Sequence, residues 1–190
     1  MKLINKINLR KEIHPIKDDI IDEVLEARYK QDSINLNFQV YSKHTLYLYQ
    51  LFIREAKRLV NSFTLRDRDF KVWCYVTDKT FYQGDTWHNH ISTSTINGVL
   101  YLQTVRGCGI EICTDYNVND KFNIADKDYN RRNIKYMRPN NFDLLIFPNF
   151  LDHRPIPSKS KNKRITLNME LRCKEPSYTI FKGGTTKLLQ

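Results

Sequence analysis

The hydrophobic pattern of this chain changes its period near residue 66, from a helical repeat to the shorter repeat of strands. Apolar side chains at helical spacing predict one helix over 17–30 and a second from Ser42 or His44 to about Phe63. Runs of β-branched and aromatic residues then predict strands at 70–76, 98–105, 109–113, 142–147 and 164–171. Helices followed by many strands indicate a mainly β core, a sandwich or a barrel, with the helices packed outside.

The segments between and after these elements are less regular. Residues 106–108 predict a short hairpin between the second and third strands. The segment 115–141 is rich in Asn and charge and lacks periodicity, which is typical of a substrate lid or of disorder. We expect a single domain over 1–190, with a helical part at 1–66, a β core over about 70–172 and a C-terminal tail at 173–190.

The composition excludes several classes of protein. Apolar residues make up 41% of the chain and aromatic residues 12%, which is enough for a core and excludes disorder over most of the length. No apolar run approaches the roughly 18 residues of a transmembrane helix, and the first residues lack the apolar stretch of a secretory signal. We therefore expect a cytoplasmic protein without a membrane partner, with free thiols at Cys74, Cys108, Cys113 and Cys173.

The net charge of +10 is concentrated near the C-terminus. Residues 154–190 contain nine Lys or Arg and two acids, whereas the rest of the chain contributes only +3. Clustered cations attract phosphates and carboxylates, so this region favours an anionic partner or substrate, although a solvated basic face explains it equally well. No zinc finger, RNP motif or heptad repeat accompanies the charge, so nucleic-acid binding is supported by charge alone.

The triplet His88-Asn89-His90 is the main chemical signal. In an extended chain, residues i and i+2 point to the same face, so the two imidazoles would lie side by side and suit one metal ion. A third ligand must come from elsewhere in the chain, and His153, which follows an apolar strand, is the candidate.

The sequence around these histidines resembles a known family. Residues 87–102 include Trp-His-Asn-His and Asn-Gly-Val-Leu-Tyr-Leu, and are similar to the "H-x-H … S-G-V-x-Y-L" signature of small phage- and bacterial-type 2-oxoglutarate/Fe(II)-dependent oxygenases. Residues 141–168 are similar to that family's "G-D-L-x-x-F-P … H … R-I-S-x-x-N". The resemblance covers roughly 70–172. It implies a double-stranded β-helix (jelly roll) fold, in a family that includes proteins encoded by phages. It also implies that the protein hydroxylates a substrate with Fe(II) and O₂, while 2-oxoglutarate is decarboxylated to succinate.

The resemblance also implies a metal site at His88, His90 and His153. Non-haem Fe(II) oxygenases usually have His-x-Asp or His-x-Glu with a distal His, so His90 stands where their carboxylate would be. Asp85 or Asp152 could supply it, either as a metal ligand or as the hydrogen-bond partner of a ligand histidine.

The cosubstrate is expected to bind near Arg164, which lies 11 positions after His153. A guanidinium binds a carboxylate through two parallel hydrogen bonds, and this suits the distal carboxylate of 2-oxoglutarate. Thr166 lies two residues further on the same strand face, and the hydroxyl of Tyr101 is a further candidate for this carboxylate.

Two other functions remain open from the sequence. The first is a cupin-like three-His metal dioxygenase that does not use 2-oxoglutarate. The second is a non-enzymatic jelly-roll protein of viral type, with a binding or structural role carried by the basic C-terminal region. The sequence does not select the substrate, which can be a small molecule or a macromolecule.

Overall fold

The computed structural model describes residues 3–30, 37–39, 41–66, 71–79, 86–114 and 133–181. Short elements precede the first long helix, and strands dominate from residue 72 onward. In chain order the elements are β1 (Asn5–Asn8), α1 (Arg10–Ile13), a 3₁₀ turn (His14–Ile16), α2 (Lys17–Lys30), β2 (Asn37–Gln39), α3 (Lys43–Leu59), β3 (Val72–Thr77), β4 (Ile96–Gln103), β5 (Gly109–Cys113), β6 (Ile134–Met137), β7 (Asp143–Pro148), β8 (His153–Ile156), β9 (Arg164–Leu171) and α4 (Ser177–Ile180).

The strands form two antiparallel sheets. The larger sheet has the order β1-β7-β4-β9-β3-β2, and the smaller has the order β6-β5-β8. Side chains of β4 and β7 on one face of the larger sheet pack against Ile110 and Ile112 of the smaller one. The other face packs against the helices. The predicted mainly β core with helices outside is therefore confirmed.

Strand β9 shows how the period-2 pattern separates the two layers. Ile165, Leu167 and Leu171 point to the helices and belong to the main core. The alternate residues are polar and point into the space between the sheets. Arg164, Thr166 and Glu170 are nevertheless buried. The sequence of β9 thus supplies an apolar face for folding and a polar face for chemistry.

Helix α3 begins with a capping box, in which the Ser42 hydroxyl accepts from the Thr45 amide and the Thr45 hydroxyl accepts from the Ser42 amide. Its apolar stripe places Phe52 fully inside the core. The Phe52 ring lies against Gly98 of β4, where a Cβ atom would stand only 2.7 Å from Phe52 Cε2. The tight fit between α3 and the larger sheet thus depends on a glycine at this position.

Several predicted elements are confirmed, but the hairpin at 106–108 is wrong. Strand β4 pairs with β7 on one side and with β9 on the other, so no edge remains for β5. The connection crosses instead to the smaller sheet, and Gly107 turns with a φ of 83°. A glycine turn specifies a change of direction, but it does not specify the partner of the next strand.

Parts of the irregular segments form regular structure. The second half of the predicted lid contains β6, which pairs with β5, whereas residues 115–132 lie outside the described residues. The beginning of the predicted tail forms α4, and Ile180 and Phe181 enter the main core. All four cysteines are free and buried, as predicted. Within the described ranges, no helix is long and apolar enough to cross a membrane.

Substitution of Gly98 by Ala is expected to destabilise the protein by about 1–3 kcal/mol, because the new methyl group overlaps the Phe52 ring. Urea unfolding followed by circular dichroism measures this loss. The double variant Gly98→Ala/Phe52→Leu should show less than the sum of the two single losses. Wild-type stability in Gly98→Ala would contradict the packing described here.

Candidate metal centre

A cavity lies between the two sheets, on the polar face of β9. Its volume is about 540 Å³ with the solvent-open mouth included. Strands β3, β4 and β9 form one wall, and Ile110, Phe147, His153 and Pro155 contribute to the rest. The predicted histidines and the predicted residues around Arg164 both line this cavity, at two positions at opposite ends of its β9 wall.

The first position holds three histidines. His88 and His153 exchange backbone hydrogen bonds, with His88 N donating to His153 O at 3.1 Å and His153 N donating to His88 O at 2.8 Å. The amide of His90 donates to Asn149 O at 2.9 Å. One ring nitrogen from each histidine lies within 4.8 Å of the other two. The predicted trio is therefore brought together, and an isolated β-bridge to His153 positions His88.

The hydrogen bonds of the three rings determine which nitrogen is available. The Nδ1 atoms of His88 and His153 lie 3.0 Å from Thr86 O and 2.9 Å from Leu151 O. The Nδ1 atom of His90 lies 2.8 Å from Glu170 Oε1. Because carbonyl and carboxylate oxygens only accept, each Nδ1 carries the proton and donates. Each Nε2 then keeps a free lone pair for a metal ion.

Burial keeps two of these rings neutral. It holds the pKa of His153 well below its usual value, and the neighbouring imidazoles of His88 and His90 lower this pKa further. Burial also lowers the pKa of His88, although the hydrogen bond to Thr86 and the charge of Asp152 act in the opposite direction. Neutral imidazoles bind a metal ion without first releasing a proton, so the group is chemically ready for one.

Two carboxylates, those of Asp85 and Asp152, were expected near the histidines. Asp85 is outside the described residues. Asp152 is fully buried and accepts from Asn89 Nδ2 at 2.8 Å, which ties the segment between the two histidines to β8. The carboxylate that contacts the His90 ring belongs to Glu170, which the sequence reasoning missed. Its position two residues beyond Asn168, on the same face as Arg164 and Thr166, was the available signal.

The second position holds Arg164, whose side chain is only 2% exposed. Its Nε donates to Thr77 Oγ1 at 3.0 Å and its Nη1 donates to Ile156 O at 2.9 Å. Among the described residues, no carboxylate forms an ion pair with this guanidinium. A buried cation without an anionic partner is costly, so the position suits a bound anion.

Two hydroxyl groups lie close to Arg164 in the cavity wall. Thr166 follows on β9, and Tyr101 stands opposite Thr166 in the register of β4 and β9. Burial raises the pKa of Tyr101, so its hydroxyl remains a hydrogen-bond donor at any ordinary pH. The predicted Arg164, Thr166 and Tyr101 therefore line one part of the same cavity.

Strand β8 connects the two positions. His153 is its first residue, and Ile156, whose carbonyl binds Arg164, is its last. At the rise of a strand, these two residues are about 10 Å apart. An elongated molecule that spans this distance could thus contact the histidine group and the guanidinium at the same time.

The amide of Asn97 is a further feature of this cavity that sequence reasoning missed. Asn97 is 3% exposed and its Oδ1 accepts from Ser94 Oγ at 2.6 Å. Its Nδ2 has no hydrogen-bond partner among the described residues. In the register, Asn97 is opposite Glu170, so this donor lies at the histidine end of the cavity.

Comparison with known proteins identifies the family. A family model described as "Putative 2OG-Fe(II) oxygenase" matches residues 71–170, which is more than half of the chain. The chain belongs to this family of 2-oxoglutarate/Fe(II) oxygenases. The matched region includes the three histidines, Arg164 and Glu170. No curated protein matches the sequence of this chain significantly.

Solved structures share the fold of the oxygenase. The non-heme alpha-ketoglutarate-dependent carbocyclase SnoK from nogalamycin biosynthesis has a TM-score of 0.67 at 9% identity, covering 93% of this chain and 83% of that one. A prolyl-4-hydroxylase from Pseudomonas putida has a TM-score of 0.58 at 12% identity, with coverages of 91% and 94%. These similarities confirm the jelly roll with N-terminal helices.

The apoprotein is expected to lose stability as the pH falls below about 6.5, the ordinary pKa of an unfolded histidine. Below this pH the unfolded chain binds a proton that buried His153 does not, because its folded pKa is lowered. The loss should reach up to about 1.4 kcal/mol per pH unit. Urea unfolding of metal-free protein at pH 7.5, 6.5 and 5.5 measures it.

The control for this prediction is a comparison of two variants. His153→Gln should flatten the pH dependence, whereas His14→Gln, which changes an exposed histidine, should preserve it. Equal pH dependence in wild type and His153→Gln would contradict the assignment.

Proposed function

We propose that this oxygenase oxidises a C–H bond of its substrate with Fe(II), O₂ and 2-oxoglutarate, and that the cavity between the sheets is its active site. One observation carries the proposal. Three imidazoles that are ready to bind a metal lie in the same cavity as a buried guanidinium, which has no acidic partner among the described residues. A metal ion and an elongated dianion are the complementary ligands.

His88, His90 and His153 would hold Fe(II) through their Nε2 atoms. The donor set fits, because neutral imidazole is a good ligand for this ion and each ring is fixed by its own Nδ1 hydrogen bond. When bound, the ion supplies the activation of O₂ that the side chains of a protein cannot provide. The three residues would hold it at the histidine end of the cavity.

Arg164 would bind the distal carboxylate of 2-oxoglutarate, with Thr166 and Tyr101 as hydroxyl donors. The guanidinium is already held by Thr77 and by the carbonyl of Ile156, so little conformational freedom is lost on binding. The oxo-acid end of the cosubstrate would then point toward the histidines. In this orientation the cosubstrate lies along the cavity wall formed by β9.

The remaining walls would exclude water and receive the substrate. Phe147 and Ile110 are buried at the cavity, and they keep its floor apolar. Trp73 and Tyr75 of β3 are half-exposed at the cavity and are the candidate contacts for the substrate. The basic C-terminal region favours an anionic substrate.

Substitution of His153 by Ala is expected to reduce Fe(II)-dependent succinate formation from 2-oxoglutarate to the level of metal-free protein, because one of three ligands is lost. Succinate is measured with and without pools of candidate substrates. His14→Ala, at an exposed position, is the matched control and should retain wild-type activity. Succinate formation by the His153→Ala variant at the wild-type rate would refute the metal assignment.

Substitution of Arg164 by Ala should weaken 2-oxoglutarate binding about 100-fold, the equivalent of about 3 kcal/mol for a charged hydrogen-bonded pair. Calorimetric titration of metal-loaded protein measures the affinity. Arg106→Ala, which removes an exposed arginine, should leave it unchanged.

The Arg164→Ala variant also tests the second candidate function, a three-His dioxygenase that does not use 2-oxoglutarate. The all-imidazole donor set favours this second function. If wild-type protein takes up Fe(II), does not bind 2-oxoglutarate and consumes O₂ equally well with the Arg164→Ala substitution, this second function is correct. Protein that takes up no Fe(II) would instead indicate the non-enzymatic role.

A further inference from the structure

We propose that Glu170 is the carboxylate of the metal centre, and that it acts through His90 without binding the metal itself. It fixes the tautomer of His90 and supplies negative charge to this one imidazole. Glu170 is therefore a positioning residue that makes the three histidines unequal as ligands. This inference rests on the proposed function, in which His90 is a metal ligand.

The contact between the two side chains is short and protected. Glu170 Oε1 lies 2.8 Å from His90 Nδ1, and the Glu170 side chain is only 5% exposed. The same oxygen accepts from Thr93 Oγ1 at 3.0 Å, while Oε2 faces Lys71 Nζ at 4.0 Å. Removal from water strengthens a charged hydrogen bond of this kind.

Neighbouring elements hold Glu170 in place. Its main-chain carbonyl accepts from the hydroxyl of Tyr49 on α3 at 2.8 Å, and its amide donates to Lys71 O at 3.3 Å. Thr93 belongs to the turn that directly follows His90, since its amide donates to His90 O. The carboxylate is thus fixed relative to the His90 ring from both sides of the contact.

The other two histidines have a different kind of partner. His88 and His153 donate to the main-chain carbonyls of Thr86 and Leu151, which carry no net charge. Of these three rings, only that of His90 donates to a carboxylate of the described residues. A carboxylate behind an imidazole raises its basicity, so Nε2 of His90 should be the strongest electron donor of the three. The negative charge lies one ring away from the metal instead of on it.

The arrangement could also be a structural ion pair between a protonated His90 and Glu170. In that case its loss would affect folding, and the bound metal would not sense the charge. The two roles can be distinguished by measurement. Only in the proposed role does the effect of Glu170 on the bound metal depend on the presence of His90.

The test uses Co(II) as a spectroscopic probe in the full-length apoprotein. Glu170→Gln keeps the size of the side chain and an oxygen acceptor but removes the charge. We expect a 10–100-fold weaker Co(II) affinity together with a shift of the visible absorption bands of the bound ion. Glu55→Gln is the matched control, since Glu55 is equally buried but pairs with Arg54 and Arg58 on α3.

A double-mutant comparison separates the two roles. In a His90→Asp background, a carboxylate binds the metal directly, and the Glu170→Gln substitution should change the affinity by less than about 2-fold. His90→Ala provides a second background with the same expectation. An undiminished effect of Glu170→Gln in both backgrounds would show a structural role and overturn the proposal.

The remaining outcomes are also decisive. Wild-type affinity and an unchanged spectrum in Glu170→Gln would overturn this inference and leave the three-His metal site intact. No uptake of Co(II) by the wild-type protein would overturn the proposed function, and this inference with it.

Discussion

Two reciprocal backbone hydrogen bonds between His88 and His153 hold the candidate metal centre together. They join a segment that precedes β4 to the first residue of β8, and they bring the two imidazoles together. The Nδ1 hydrogen bonds then set the orientation of each ring. Because main-chain contacts hold the ligands in advance, a metal ion would meet a site with little left to order.

The two ends of the cavity have opposite electrostatic character. At one end, three imidazoles are backed by two carbonyls and by the Glu170 carboxylate, and at the other the guanidinium of Arg164 is held by neutral oxygens. The first end is suited to a positive metal ion and the second to a carboxylate. In the proposed function, this separation would orient 2-oxoglutarate in the cavity.

The sequence predicted those elements and site residues that are marked by a strong hydrophobic period or by a regular residue spacing. It predicted α2 and the long apolar strands, and its histidine spacing predicted the trio. It missed β8, because Pro155 breaks the strand pattern, and it paired β4 with β5 because partner choice depends on which edges are already occupied. It also missed Glu170, whose contact with His90 exists only after β9 has entered the larger sheet.

Strand β9 carries both Arg164 and Glu170, with Thr166 and Asn168 between them, all on one face. The offset between the anion-binding end and the metal end is therefore fixed by the rise of a single strand and has no hinge to adjust it. Inserting or deleting one residue within β9 would rotate half of this face into the helical core. A change of one residue in the length of β9 would therefore separate Arg164 from Glu170 across the two faces of the sheet.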